Sequence, residues 1–136
     1  MTNECTLVVE TEAPVPFTVA DGTGIEKGAI LKLTDPRTAS LADGDDDVIA
    51  GIAAEEKIAN DGKITLAVYR GGVFKGLAGG AITIGCALGT YASSGATNEL
   101  HALGAAGDNM LGTSLEAADD THTFLFVLKP ITRDMA

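Results

Sequence analysis

Apolar positions along this chain alternate with polar ones or gather in short aliphatic runs, and turn residues separate the runs. Helical periodicity is weak throughout, so the pattern predicts strands. In the first half they are Phe17–Ala20, Ala29–Leu33, Val48–Ala53, Lys63–Tyr69 and Val73–Leu77. In the second half they cover 87–92, 99–103, 110–116 and 123–129. Thr123-Phe124-Leu125-Phe126-Val127-Leu128 is the most apolar, which predicts a strand buried on both faces. Asp21-Gly22-Thr23-Gly24 and Asn60-Asp61-Gly62 are turns. Arg70-Gly71-Gly72 reads as a hairpin tip, residues 37–47 as a loop, and Glu55–Ala59 as a single helical turn. Short strands at turn-spaced intervals predict a mainly β protein, a small β-barrel or β-sandwich with little helix.

The two halves echo each other. Ile25-Glu26-Lys27-Gly28-Ala29-Ile30-Leu31 shares Ile-x-x-Gly-x-x-Leu with Ile82-Thr83-Ile84-Gly85-Cys86-Ala87-Leu88, at an offset of 57. Gly51 and Glu55 recur as Gly112 and Glu116 at an offset of 61, and Leu66–Tyr69 aligns with Leu125–Leu128 at 59. The offset drifts in the loops, where length changes are tolerated. Together the anchors predict two similar β-units sharing one core.

The first residues differ from the rest. Residues 1–13 carry no glycine and run into Pro14-Val15-Pro16. Two prolines so close favour extended backbone and withhold ladder donors. Two readings fit: an extended N-terminal arm over residues 1–16 preceding a single domain over 17–136, or an ordinary edge strand.

Composition narrows the partners. The chain has 136 residues and a net charge of −10, with a pI near 4.4. That argues against a nucleic-acid binder, because phosphate contacts need a positive surface. Hydrophobic residues make up 46%, which is too apolar for a disordered acidic chain. The long uncharged run between Lys75 and Glu99 is too rich in Gly, Ser and Thr for a membrane helix, so no membrane partner is expected. The N-terminus lacks a basic region and does not read as a signal peptide. Cys5 and Cys86 have no CxxC partner, so zinc is not expected; a bridge between them is open.

Candidate chemistry is sparse. Asp43, Asp45 and Asp47 fit the first three ligand positions of a calcium loop. Val48 stands where that loop needs glycine and Ala54 where it needs a bidentate Glu, so the motif fails and leaves a weak candidate metal site. His101 and His122 lack partners at ligand spacing. There is no Gly-x-Ser-x-Gly elbow and no Walker A, and six aromatics without Trp make no stacking platform. No catalytic constellation, metal or cofactor is expected. A ligand- or glycan-binding β-module is an alternative, motivated by the glycine-rich loops and Asp43–Asp47 and opposed by the shortage of Trp and Tyr.

The run Pro14-Val15-Pro16-Phe17-Thr18-Val19-Ala20-Asp21-Gly22-Thr23-Gly24-Ile25-Glu26-Lys27-Gly28, then Leu31-Lys32-Leu33-Thr34-Asp35-Pro36, resembles the capsid cement, or head decoration, proteins of tailed phages. So do Ala50–Lys57 and Leu66-Ala67-Val68-Tyr69-Arg70, and the likeness covers roughly 10–130. The resemblance implies a non-enzymatic, β-tulip-like structural protein on the outer surface of a virus head. It implies the major capsid protein as partner, a homotrimer of the lambda decoration type, and an N-terminal arm that orders on the capsid. The arm contacts would be Thr2, Asn3, Glu4, Thr6, Leu7, Val8, Val9, Pro14 and Pro16.

Overall fold

The computed structural model describes residues 4–44, 47–90, 98–103 and 109–131. Among them are eleven strands and no helix: β1 (Thr6–Val9), β2 (Val15–Thr18), β3 (Ile30–Asp35), β4 (Thr38–Leu41), β5 (Ile49–Ala53), β6 (Thr65–Tyr69), β7 (Gly72–Ala78), β8 (Ala87–Gly89), β9 (Glu99–Ala102), β10 (Met110–Ser114) and β11 (Thr123–Ile131).

The strands form two rings of one topology. Strands β2-β4-β3-β5-β6 close a barrel whose pairings are antiparallel except for the parallel β2–β4 contact. Strands β7-β9-β8-β10-β11 repeat that order and polarity, with β7–β9 as the parallel contact. Strand β1 is added on the β7 edge next to β9, at Val73–Lys75, while β9 takes Leu77 and Ala78.

Equivalent positions carry equivalent bonds. Gly28 N donates to Ala53 O at 2.8 Å, and Gly85 N to Ser114 O at 3.0 Å. Both glycines are left-handed, at φ 92° and 76°, a conformation open to glycine without strain. Ile25 bridges Lys57 as Ile82 bridges Ala118. The Glu55 carboxylate accepts the Ala67 N–H at 3.1 Å, and that of Glu116 the Leu125 N–H at 2.8 Å.

One anchor of the echo shifts. Ala53 pairs Val68 while its counterpart Ser114 pairs Phe126, so Leu66–Tyr69 matches Phe124–Val127 at an offset of 58 rather than 59. A one-residue slip would turn every side chain to the other face, and the burial agrees with 58. Leu66, Val68, Phe124 and Phe126 are buried, whereas Ala67, Tyr69, Leu125 and Val127 are half-buried.

Two apolar cores result. The first ring encloses Phe17, Val19, Leu31, Ala39, Leu66 and Val68 with several alanines. The second encloses Cys5, Leu88, Leu100, Leu111, Leu128 and three phenylalanines. Phe74 stacks on Phe126 at 6.1 Å, Phe124 lies 5.8 Å from Phe126, and Tyr69 of the first ring meets Phe74 edge-on at 5.7 Å. Ile30, Ile49, Ile52 and Ala42 of the first ring belong to the second core, so the rings share a wall.

Several sequence expectations change. The strand buried on both faces is β5, not β11: every residue of Ile49–Ala53 is buried, while Thr123–Leu128 alternates. Glu55–Ala59 is a bend and a β-bridge, because its backbone is held by the Ile25–Lys57 pair. Residues 38–41 within the expected loop are β4, a strand of small residues with little apolar signal. Arg70–Gly71 is no hairpin tip. It crosses from one ring to the other, with Arg70 Nη1 donating to Ile49 O at 3.1 Å and Ala50 O at 2.9 Å.

Gly51 and Gly112 sit at register shifts where neighbouring strands come unusually close. An added methyl would run into the Tyr69 and Val127 carbonyls respectively. Gly51→Ala and Gly112→Ala should each cost about 2–4 kcal/mol in urea unfolding. Gly80→Ala, with open space around it, should stay within about 0.5 kcal/mol.

Candidate functional site

The N-terminal segment is docked along the molecule from Glu4 onward. Cys5 N donates to Gly28 O at 2.8 Å, and a Cβ on Gly28 would meet the Glu4 Cβ at 2.9 Å. Cys5 is buried against Gly76, and desolvation, followed by the Glu4 charge, pushes its thiol up to about 12. It is an apolar packing group at neutral pH. Cys5 and Cys86 are both free thiols. A hydrogen bond with Glu26 holds the Glu4 carboxyl below its usual range and raises that of Glu26.

Beyond Cys5 the segment becomes β1. Leu7 packs on the second core, Thr6 is exposed, and Val8 and Val9 are 51% and 50% exposed. β1 ends its strand order, so its edge opposite β7 is unpaired by any strand among the described residues. Thr2 and Asn3 lie outside those residues.

Pro14 is half-buried, and Pro16 lies within β2. Thr18 N donates to Arg37 O at 2.6 Å, so Pro16, two residues earlier, also turns its peptide edge away from β6. Proline puts no donor on that edge, and its carbonyl accepts Arg37 Nη2 at 2.9 Å. The prolines therefore blunt β2 against strand addition, while β1 has no such guard.

An ionic lock unforeseen from the sequence closes one end of the first barrel. The Lys57 side chain is fully buried. Its Nζ donates to Asp61 Oδ1 at 2.7 Å, Asp21 Oδ1 at 2.9 Å, Ile58 O at 2.9 Å and Asp21 O at 3.1 Å. Asp21 Oδ1 also accepts Gly62 N at 2.8 Å, and Asp61 Oδ1 accepts Lys63 N at 2.9 Å. Burial alone would lower the ammonium pKa. The hydrogen bonds to Asp61 and Asp21 outweigh it and leave Lys57 above the ordinary lysine value. Bonds from Lys57 and the Lys63 N–H pull the Asp61 carboxyl down to about 2. The available signal was a lysine four residues before Asp61, with Asp21 opening the other turn.

The acidic loop has other work. Asp43 Oδ1 pairs with Lys32 Nζ at 2.6 Å. Asp47 Oδ2 accepts Gly44 N at 2.9 Å and Asp43 N at 3.0 Å. Asp45 lies outside the described residues. Thr90 Oγ1 donates to Gly44 O at 3.0 Å and accepts Asp47 N at 3.3 Å, which ties the loop to the second ring. Among the described residues no three His, Cys, Asp or Glu side chains converge to hold a metal. His101 is buried 3.7 Å from Glu99, and exposed His122 lines a shallow groove with Glu116 and Asp119. These placements bring no nucleophile, base and orienting group together. They offer shaped surfaces instead.

Residues 9–129 match the family model described as phage cement protein. The chain is also similar to the crystal structure of the N base of head fiber gp8.5 from bacteriophage phi29. That likeness has a TM-score of 0.58, covers 85% of this chain and 93% of that one, and comes with 16% identity, so it concerns the fold. No curated protein matches the sequence.

The Lys57 lock sets a pH response. A carboxyl whose pKa falls from 3.8 to about 2 on folding stabilises the fold above the unfolded value and loses that contribution as pH drops from about 4 to about 2. Lys57, raised on folding, keeps its contribution below its ordinary 10.5 and loses it as pH rises past that value. Thermal melts of Asp61→Asn should show a lower Tm at pH 7 and a smaller acid-induced loss than the parent; parallel acid profiles would contradict the lock.

Proposed function

The chain belongs to the phage cement protein family, and we propose that it binds the outer surface of a phage head, where it bridges major capsid protein subunits as a homotrimer. Its role is structural and capsid-associated. The family match spans nearly the whole chain and both rings, and it is the observation that carries the reading. The geometry fits. Two closed rings make a small rigid scaffold, and the absence of a converging side-chain set among the described residues suits a non-catalytic role.

The N-terminal segment is the proposed capsid contact. Thr6, Val8 and Val9 present an uncharged, solvent-facing strand, Glu4, Leu7, Pro14 and Pro16 anchor and direct it, and Thr2 and Asn3 precede it in the sequence. An extended capsid segment added along β1 would gain main-chain hydrogen bonds with little demand on side chains. Many copies on one shell turn modest contacts into a large stabilisation. A net charge of −10 keeps decorated particles mutually repulsive.

The test is to mix the purified protein with undecorated mature heads. Stoichiometric binding and raised heat resistance are expected, and a lack of binding ends the reading. Val8→Glu with Val9→Glu should weaken binding by about tenfold or more while leaving the melting temperature within a few degrees, since both side chains are half-exposed or more. Sedimentation of the free protein separates a trimer formed in solution from one assembled on the shell.

A further inference from the structure

The repeat supplies its own comparison. In the first ring the turn at Gly28 is covered: Cys5 N donates to Gly28 O at 2.8 Å, and Glu4 lies over the glycine. In the second ring Gly85 makes the same turn. Cys86 N bonds Thr83 O at 3.3 Å as Ala29 N bonds Glu26 O at 3.1 Å. Yet Gly85 is exposed, and nothing described lies within 4 Å of where its Cβ would stand. Among the described residues, one copy of a strand-docking corner is occupied and the other is uncovered.

The residues around the open corner have changed in character. Lys27 has Ile84 as its counterpart, and Ala54 has Leu115. Ile84 is 72% exposed and Leu115 47%, and each is one residue from the Gly85–Ser114 hydrogen bond. An apolar replacement at an open position loses solvation unless something covers it. Beside them runs the groove containing Thr83, Glu116, Asp119 and His122. Its carboxylates select a basic segment, and this chain, with 9 Lys and Arg against 19 Asp and Glu, is a poor source of one.

We infer that the Gly85 corner is a second docking site, which takes an extended segment of the capsid protein: one backbone N–H to the Gly85 carbonyl, an apolar side chain against Ile84 and Leu115, and a Lys or Arg toward Glu116 and Asp119. This rests on the head-binding reading above. It places a contact on the second ring, on a turn that β1 does not cover.

The experiment rebuilds the occupied corner's residues at the open one. Ile84→Lys with Leu115→Ala restores the first-ring identities at two exposed positions, so thermal melting should be unchanged. Binding to undecorated heads should fall about tenfold or more, and Asp119→Asn should weaken it further and flatten its salt dependence. If the parent protein does not bind heads, the premise and this inference fall together. If the parent binds and the double variant binds equally, the corner is not a contact and only this inference fails. If the double variant instead breaks up an oligomer of the free protein in sedimentation, the occupant is a second copy and the capsid assignment is wrong.

Discussion

The double burial of β5 is the constraint on which the rest of the molecule depends. Ile49 and Ile52 face the second core, while Ala50 and Ala53 face the first. In a regular strand, residues three apart point to opposite faces. Here the register shift between Leu31 and Lys32 inserts Ala50 as an extra residue, and both isoleucines reach the same side. Gly51 completes the arrangement by letting the β6 backbone approach at Tyr69. The small residues at 50, 51 and 53 let one strand serve as a wall between two rings. Arg70 then fastens the crossing chain to the carbonyls of that wall.

Once the wall exists, two rings of identical topology can diverge on their outsides. The bridge partner of Ile25 is Lys57, which pins two turns through Asp21 and Asp61; that of Ile82 is Ala118, beside the open groove. A buried ammonium gives little net stability by itself, since desolvation offsets much of the attraction. Its effect here is geometric: four acceptors fix where the turns at Asp21 and Asp61 stand. The first ring is therefore sealed at this end and capped by Glu4 and Cys5. The second keeps an apolar corner and acidic groove walls. The repeated topology is the common scaffold, and the differences lie in what covers each copy.

Much of this was legible in the chain. Ile-x-x-Gly-x-x-Leu located both turns because only a left-handed glycine fits there, and period-two alternation located nearly all the strands. The family resemblance lay in turn and strand residues, which specify a fold more than a site. What the sequence hid came from tertiary context. Apolarity pointed to β11 as the doubly buried strand, but Leu125 and Val127 are half-buried. The true wall is Ile-Ala-Gly-Ile-Ala, short and without an aromatic, because close packing of two rings needs small side chains as much as large ones. The Lys57 lock was illegible for a similar reason. Its partners at 21 and 61 are far apart in the chain or hidden inside turn motifs. Asp43 and Asp47 looked like ligands by spacing alone, and their carboxylates turn out to serve Lys32 and the loop backbone.

Ring closure also explains how a chain whose regular structure among the described residues is all strand avoids pairing indiscriminately with itself. Every ring strand has neighbours on both sides, so the usual route of edge-to-edge association is shut. Where β2 could have offered an edge, Pro16 withholds the donor and Arg37 occupies the carbonyl. That leaves β1, added outside the second ring, as the strand with an unpaired edge among those described. Its Val8 and Val9 carry no charge to repel a partner strand. A net charge of −10 adds long-range repulsion against random contact between copies, which a specific interface can still overcome. Topology and charge together then limit indiscriminate strand pairing between copies.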